Sequence, residues 1–245
     1  MRRRKLFAAS LIVSTVAAFV VGPQQAVVGA GVPPAADASR TLPAMFVQGV
    51  DNPYYPLTPG TTLVYKGVRD GRSQTDRVFV TDRTRQIQGV DAMVVRDVAT
   101  HRDTLIEKTF DWFAQDDQGN VWYLGEDTKE YDRHGHVTST EGSWEAGVNG
   151  AQPGIIMEAN PQPPDGYRQE FLAGHAEDQA WILHRGGSLQ VPHGRVHQVL
   201  RTMEWTRLEP NVVDQKYYAP GLGIVYEVTV AGGQEVAKLA RVVTR

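Results

Sequence analysis

From Thr61 to Val243 the chain alternates apolar and polar residues in short runs, and this alternation restricts its fold more than any other feature. Successive side chains of a strand point to opposite faces, so such runs form strands with one face on a core. The clearest are Thr61–Val68, Asp76–Thr81, Ala92–Val98, Leu105–Gln115, Asn120–Glu126 and Tyr167–Phe171. Gln179–Arg185, Val196–Leu208, Val212–Tyr218, Ile224–Val230 and Val236–Val243 complete the set. Turn chemistry separates them at Asp70-Gly71, Gln88-Gly89-Val90-Asp91, Asp117-Gln118-Gly119-Asn120, His134-Gly135 and Gly232-Gly233. No segment after residue 30 keeps an i, i+3, i+4 apolar stripe over three turns, which makes the fold class all-β. About eleven antiparallel strands with short connections form a meander, and a sheet of that length curls or closes to remove its edges. The expected architecture is a closed or strongly curved barrel, with a two-sheet sandwich as the alternative.

The N-terminus has a different pattern. Arg2, Arg3, Arg4 and Lys5 precede an apolar run from Leu6 to Val21. Val28 and Ala30 are small residues placed for cleavage after Ala30. These are the three parts of a secretory signal peptide, residues 1–30, and they predict a secreted or cell-envelope protein. The apolar run falls short of the ~20 residues of a spanning helix, so stable membrane insertion is not expected. Arg3-Arg4 followed by Lys5-Leu6-Phe7 loosely resembles a twin-arginine export motif; an ordinary basic start is the preferred reading. Residues 31–60 read as a disordered leader and an extended lead-in, whose Pro53, Pro56 and Pro59 forbid helix or central strand. Residues 61–245 read as a single β-domain. Within it, 142–164 carries four Gly and four Pro and reads as one long loop, with a short helix near Ile155–Glu158.

The chain has no cysteine, which removes disulfides, thiolate metal sites and a cysteine nucleophile. Without residues 1–30 it holds 28 acidic and 21 basic residues. That excess of acid argues against a nucleic-acid partner and against anionic membrane surfaces.

The hairpin Leu105–Glu126 holds the densest candidate chemistry. An even-length turn at Asp116–Gly119 pairs Phe113 with Trp122 and Asp111 with Leu124. Asp111, Phe113, Trp122, Leu124 and Glu126 then share one face, and Trp112 and Tyr123 the other. Aromatic walls with a few polar groups resemble a ligand pocket. The run Glu126–Asp132 carries four carboxylates in seven residues but fails the EF-hand spacing, so it reads as a solvated charged turn. His134/His136 and His193/His197 are pairs without a third ligand of known position; no metal and no cofactor are expected. Gly-x-Ser-x-Gly, Walker and dinucleotide signatures are absent. Around the long loop, Arg168 stands near Glu170 and Glu145 in a carboxylate–arginine–aromatic set.

The motifs DWFAQDDQGNVWYLGEDTKEY, EGSWEAG, PGIIMEANP and KYYAPGLGIVYE lie between Asp111 and Glu227. They resemble an uncharacterised family of exported bacterial β-rich proteins of lipocalin-like or outer-envelope type. That resemblance implies no activity and no catalytic residues.

The reading that follows is an exported, non-enzymatic protein enclosing a small apolar or amphipathic molecule. Trp112, Trp122, Trp144 and Tyr217 are its candidate walls, and Glu126 and Arg168 orient the ligand. One alternative is an acid–base enzyme using Asp111 or Glu126 with Arg168. The other is a structural envelope protein without a pocket.

Overall fold

The computed structural model describes residues 42–244. The expected signal peptide, residues 1–30, and most of the expected leader lie outside the described residues. Among the described residues there are strands and turns and no helix. The strands are β1 (Phe46–Val47), β2 (Thr61–Arg69), β3 (Arg72–Ile87), β4 (Val90–His101), β5 (Thr104–Asp116) and β6 (Val121–Tyr131). Next come β7 (Val137–Ser139), β8 (Trp144–Glu145), β9 (Gln152–Met157), β10 (Gly166–Arg168), β11 (Glu170–Phe171) and β12 (Asp178–Arg185). The last are β13 (Ser188–Val191), β14 (Gly194–His197), β15 (Leu200–Thr206), β16 (Val213–Ala219), β17 (Gly223–Ala231) and β18 (Val236–Thr244).

The main sheet runs β10-β12-β15-β16-β17-β18-β2-β3-β4-β5-β6-β9-β11, while β13 and β14 form a separate hairpin. The last strand lies against the first long one, with Thr244 opposite Thr61. The two ends of the path, β10 and β11, are consecutive in the chain. Gly166–Arg168 pairs with β12 and Glu170–Phe171 pairs with β9. The sheet therefore curls into a nearly closed antiparallel barrel with one unsealed seam, as the alternation predicts. At the seam, a Cβ on Gly154 would lie 2.3 Å from the Gln169 carbonyl carbon, so only glycine allows β9 to approach so closely.

Two local readings need correction. Residues 142–164 are not one loop with a short helix: they contain β8 and β9, and Ile155–Met157 are buried. Pro153 and Gly154 resemble loop punctuation, but here proline sits near the start of a strand and glycine marks the close approach at the seam. Glu126–Asp132 is not a solvated turn either. Its first six residues belong to β6, with Glu126 and Thr128 buried.

The lead-in caps one end of the barrel. Asn52 Nδ2 donates to the carbonyls of Gly119 and Glu158, both at 3.0 Å, and the amide of Gly221 donates to Pro53 O at 2.8 Å. These bonds hold Tyr54, Tyr55 and Leu57 in the core. Tyr55 meets Phe113 edge-on at 5.2 Å between ring centroids. Val80, Val95, Leu200, Val225 and Leu239 complete the apolar filling near this cap, all with no solvent exposure.

Candidate functional site

The site is built on the β5–β6 hairpin, and its register departs from the expected one. Asp116 N donates to Asn120 O and Gly119 N to Asp116 O, both at 3.0 Å, which leaves a three-residue loop with Gly119 at φ +94°. The loop length is odd, so Phe113 faces Tyr123 rather than Trp122. A bulge at Leu124 then shifts the pairing again and sets Asp111 directly opposite Glu126. Gly125 makes the bulge possible: with φ +137°, it packs where a Cβ would be 2.3 Å from Trp144 O. Asp111, Phe113, Tyr123 and Glu126 therefore share the inner face. Trp112 and Trp122 lie on the outer one.

The Tyr123 hydroxyl is 2.9 Å from Asp111 Oδ1 and 3.0 Å from Glu126 Oε2. A phenol has a single proton to donate, so two such contacts require one of the carboxyls to be protonated. Asp111 Oδ2 and Glu126 Oε1 are buried without any donor. A proton on the pair supplies what those oxygens lack. Burial, and then the neighbouring Asp97, push Asp111 well above the ordinary carboxylate range. Burial, and then Asp111 itself, do the same to Glu126. Trp144 closes this side of the interior, with its ring edge-on to Tyr123 at 5.2 Å and its indole N–H donating to Glu170 Oε2 at 2.7 Å.

The pair belongs to a larger cluster. Asp76, Asp97, Glu107, Asp111, Glu126, Glu170, Asp178, Glu204, Asp214 and Glu227 are all buried. Among the described residues only Arg69 and Lys216 are buried cations. Lys216 Nζ lies 2.8 Å from Glu204 Oε2, and Lys216 is in register with Glu227. Burial alone would push the Lys216 ammonium down, but Glu204 and Glu227 outweigh it and hold it above its ordinary value. Tyr218 and Thr202 donate to the other oxygen of Glu204 at 3.0 and 2.7 Å. Arg69 is shared between Glu107 at 3.4 Å and Glu235 at 3.5 Å. Burial raises Asp76, Glu107, Glu170 and Glu227 as well.

Of the residues singled out from sequence, Asp111, Glu126 and Trp144 come together here. Trp122 is buried on the outer face, and its indole N–H donates to Asp116 Oδ2 at 2.9 Å. Trp112, also outside, lies under the Arg85 guanidinium at 4.2 Å. Arg168 pairs with neither Glu170 nor Glu145 as an ion pair. It donates to Gln152 Oε1 at 2.7 Å and stacks over Phe171 at 4.5 Å, while Glu145 pairs with Arg85. Tyr217 is on the outer wall against Tyr226, 5.1 Å between centroids. His136 Nδ1 is 3.3 Å from Asp132 Oδ2 in an exposed turn, and His197 Nδ1 is 2.8 Å from Ser188 Oγ across β13–β14. Among the described residues no three His, Asp or Glu side chains gather as a metal site. Sequence reading missed Glu204 and Lys216, set Tyr123 on the face opposite Asp111 and Glu126, and grouped Glu170 with Arg168 rather than with Trp144. The available signal was polar residues recurring at period two, as in Glu107, Thr109 and Asp111 or Thr202, Glu204 and Thr206.

No family model matches this chain, and no curated protein matches it. Among solved structures, the crystal structure of "a putative lipoprotein" from Parabacteroides distasonis is similar over 82% of this chain and 100% of that one, with 13% identity and a TM-score of 0.42.

Proposed function

We propose that the protein is an exported binding protein whose barrel interior receives a small amphipathic molecule carrying a cationic group. One observation carries this reading: among the described residues, ten buried carboxyls share the interior with one lysine and one arginine. A buried carboxylate needs a cation or a proton beside it. In the free protein, protons fill that role. An ammonium or guanidinium group of a ligand competes with them, and Tyr123, Phe113 and Trp144 supply rings for its apolar body. Glu126 orients this ligand, as the hairpin's chemistry suggests. Trp122, Trp112 and Tyr217 are not among its walls.

Small free spaces adjoin the interior among the described residues. One of about 30 Å³ lies between Tyr55, Leu57, Tyr65 and Ile224, and one of about 20 Å³ lies between Arg69, Asp76, Glu227 and Glu235. Each holds about one water, whereas small-molecule pockets measure roughly 300–1,000 Å³. A ligand therefore enters only as the Tyr54–Leu57 cap moves. The same small volumes favour a second reading, a structural barrel filled by its own side chains.

Thermal unfolding with tryptamine and with indole-3-acetate separates the two. A receptor is stabilised by the amine and not by the acid, more strongly at pH 8 than at pH 5, and Glu126→Gln loses the effect. Identical melting with either compound at both pH values, extended to a panel of amines, leaves the self-filled barrel.

A further inference from the structure

The outer wall has the opposite character to the interior. Residues 42–244 hold 27 acidic and 19 basic side chains. Eleven acidic and two basic ones are buried, and taking those away leaves 16 acidic and 17 basic. The acidity of the composition is thus largely internal, and it says little about what the surface attracts.

One row on this wall is organised. Arg201 on β15 lies opposite Tyr217 on β16, which lies opposite Tyr226 on β17. Tyr226 in turn is opposite Lys238 on β18, and Lys238 is opposite Lys66 on β2. Their sequence neighbours Leu200, Lys216, Val225, Leu239 and Tyr65 point inward and are buried, so the row faces out. Strands lie about 4.8 Å apart, which makes the row about 19 Å long. The two tyrosine rings lie 5.1 Å apart, and Lys238 Nζ is 5.2 Å from the Tyr226 ring. Among the described residues no carboxylate lies within 4 Å of Arg201, Lys238 or Lys66. Like charges directly opposite destabilise a sheet, so the Lys66–Lys238 pair works against the fold. Arg201 Nε is a buried donor without an acceptor.

The geometry points to this row as a binding site for an anionic polysaccharide. Sugar faces stack on Tyr217 and Tyr226. Phosphate, sulfate or carboxylate groups along the chain meet Arg201 at one end and Lys238 with Lys66 at the other. A membrane surface fits less well, because the row contains none of the exposed large apolar side chains, which are Met45, Val47, Val68, Val137, Val148, Val230 and Val243. This inference is independent of the interior and stands or falls without it.

The test is titration of the full chain with heparin as the probe, at low and high salt, with neutral dextran, anionic phosphatidylglycerol vesicles and duplex DNA alongside. Heparin should bind and dextran should not, and the affinity should fall with salt because the anionic groups shed counterions. The Lys66→Glu/Lys238→Glu protein should bind about tenfold more weakly or worse. Tyr217→Ala should weaken binding with the salt dependence unchanged, as stacking requires. Arg201→Gln carries the charge test should the double reversal fail to fold. Undiminished heparin binding by these variants would overturn the site, as would vesicles or DNA binding more tightly than heparin.

Discussion

Near the capped end, β4 and β5 turn Met93, Val95 and Phe113 into the barrel; further along the same two strands, the inward residues are Asp97, Glu107, Thr109 and Asp111. Both stretches are antiparallel, twisted and fully paired. They differ in what holds their contents together. The aromatic end is stabilised by apolar burial, which protons do not affect. The acidic end is stabilised only while its carboxyls hold protons or cations. The backbone is thus indifferent to the chemistry it encloses, and a single strand can serve two kinds of interior.

The sharpest break between the two ends should come from Lys216→Met. It leaves Glu204 beside Glu227 without a cation and should cost about 3–5 kcal/mol at pH 7. Urea unfolding should show part of that loss recovered at pH 5, because burial holds Glu227 well above the ordinary carboxyl value and favours its neutral form as the pH falls. Phe113→Ala, in the aromatic end, should also cost about 3–5 kcal/mol, but equally at both pH values. A pH-dependent loss at Phe113 would mean that the two ends are not separate.

The intact protein should melt at a higher temperature in mild acid than in mild base. Asp76, Glu107, Asp111, Glu126, Glu170 and Glu227 all titrate higher folded than unfolded, with burial as the leading cause. Such groups contribute fully below the unfolded carboxyl value of about 4, and their contribution is lost as pH rises through the folded values. Glu235, raised to about 7 by burial, marks the part of that window that a scan from pH 4 to pH 8 resolves. Melting temperatures that climb toward pH 8 would contradict the acidic interior.

A smaller effect is expected from Glu126→Gln. It keeps the shape and removes one titration, so stability at pH 5 should change by about 1 kcal/mol or less while the fall toward pH 8 becomes shallower. Smallest of all, Tyr217→Ala on the outer wall should alter stability within about 0.5 kcal/mol. A larger loss would show that the outer row is structural.

Much of the barrel was legible because its cues are local. Turn residues at Asp70-Gly71 and Gly232-Gly233 and the two-residue period of Leu63, Tyr65 and Gly67 act within a few bonds of each other. The site was legible only in part. Asp111, Glu126 and Trp144 stood out as carboxylates and rings close together in the chain. Lys216 and Glu204 did not, since each meets its partner only after distant strands pair. The run Glu126–Asp132 was misread because charge usually marks the solvent side, and here the solvent side carries Lys129 and Asp127 while the carboxyl of Glu126 is inside.

The sequence by itself determined that this chain forms antiparallel strands with one inward face each, because side-chain alternation follows from the backbone's own geometry. Only the tertiary structure decided which face is which along the β5–β6 hairpin. One residue in the loop exchanges Trp122 for Tyr123 and one in the bulge brings Glu126 opposite Asp111, and the bulge depends on Trp144 packing against Gly125. Closure was decided in the same way: Gly154 and Gln169 become neighbours only when the two ends of a thirteen-strand path meet. Where the acid goes was decided in the same way, because a buried carboxyl needs a proton, a cation or a donor, and the pairing of distant strands brings Lys216 to Glu204.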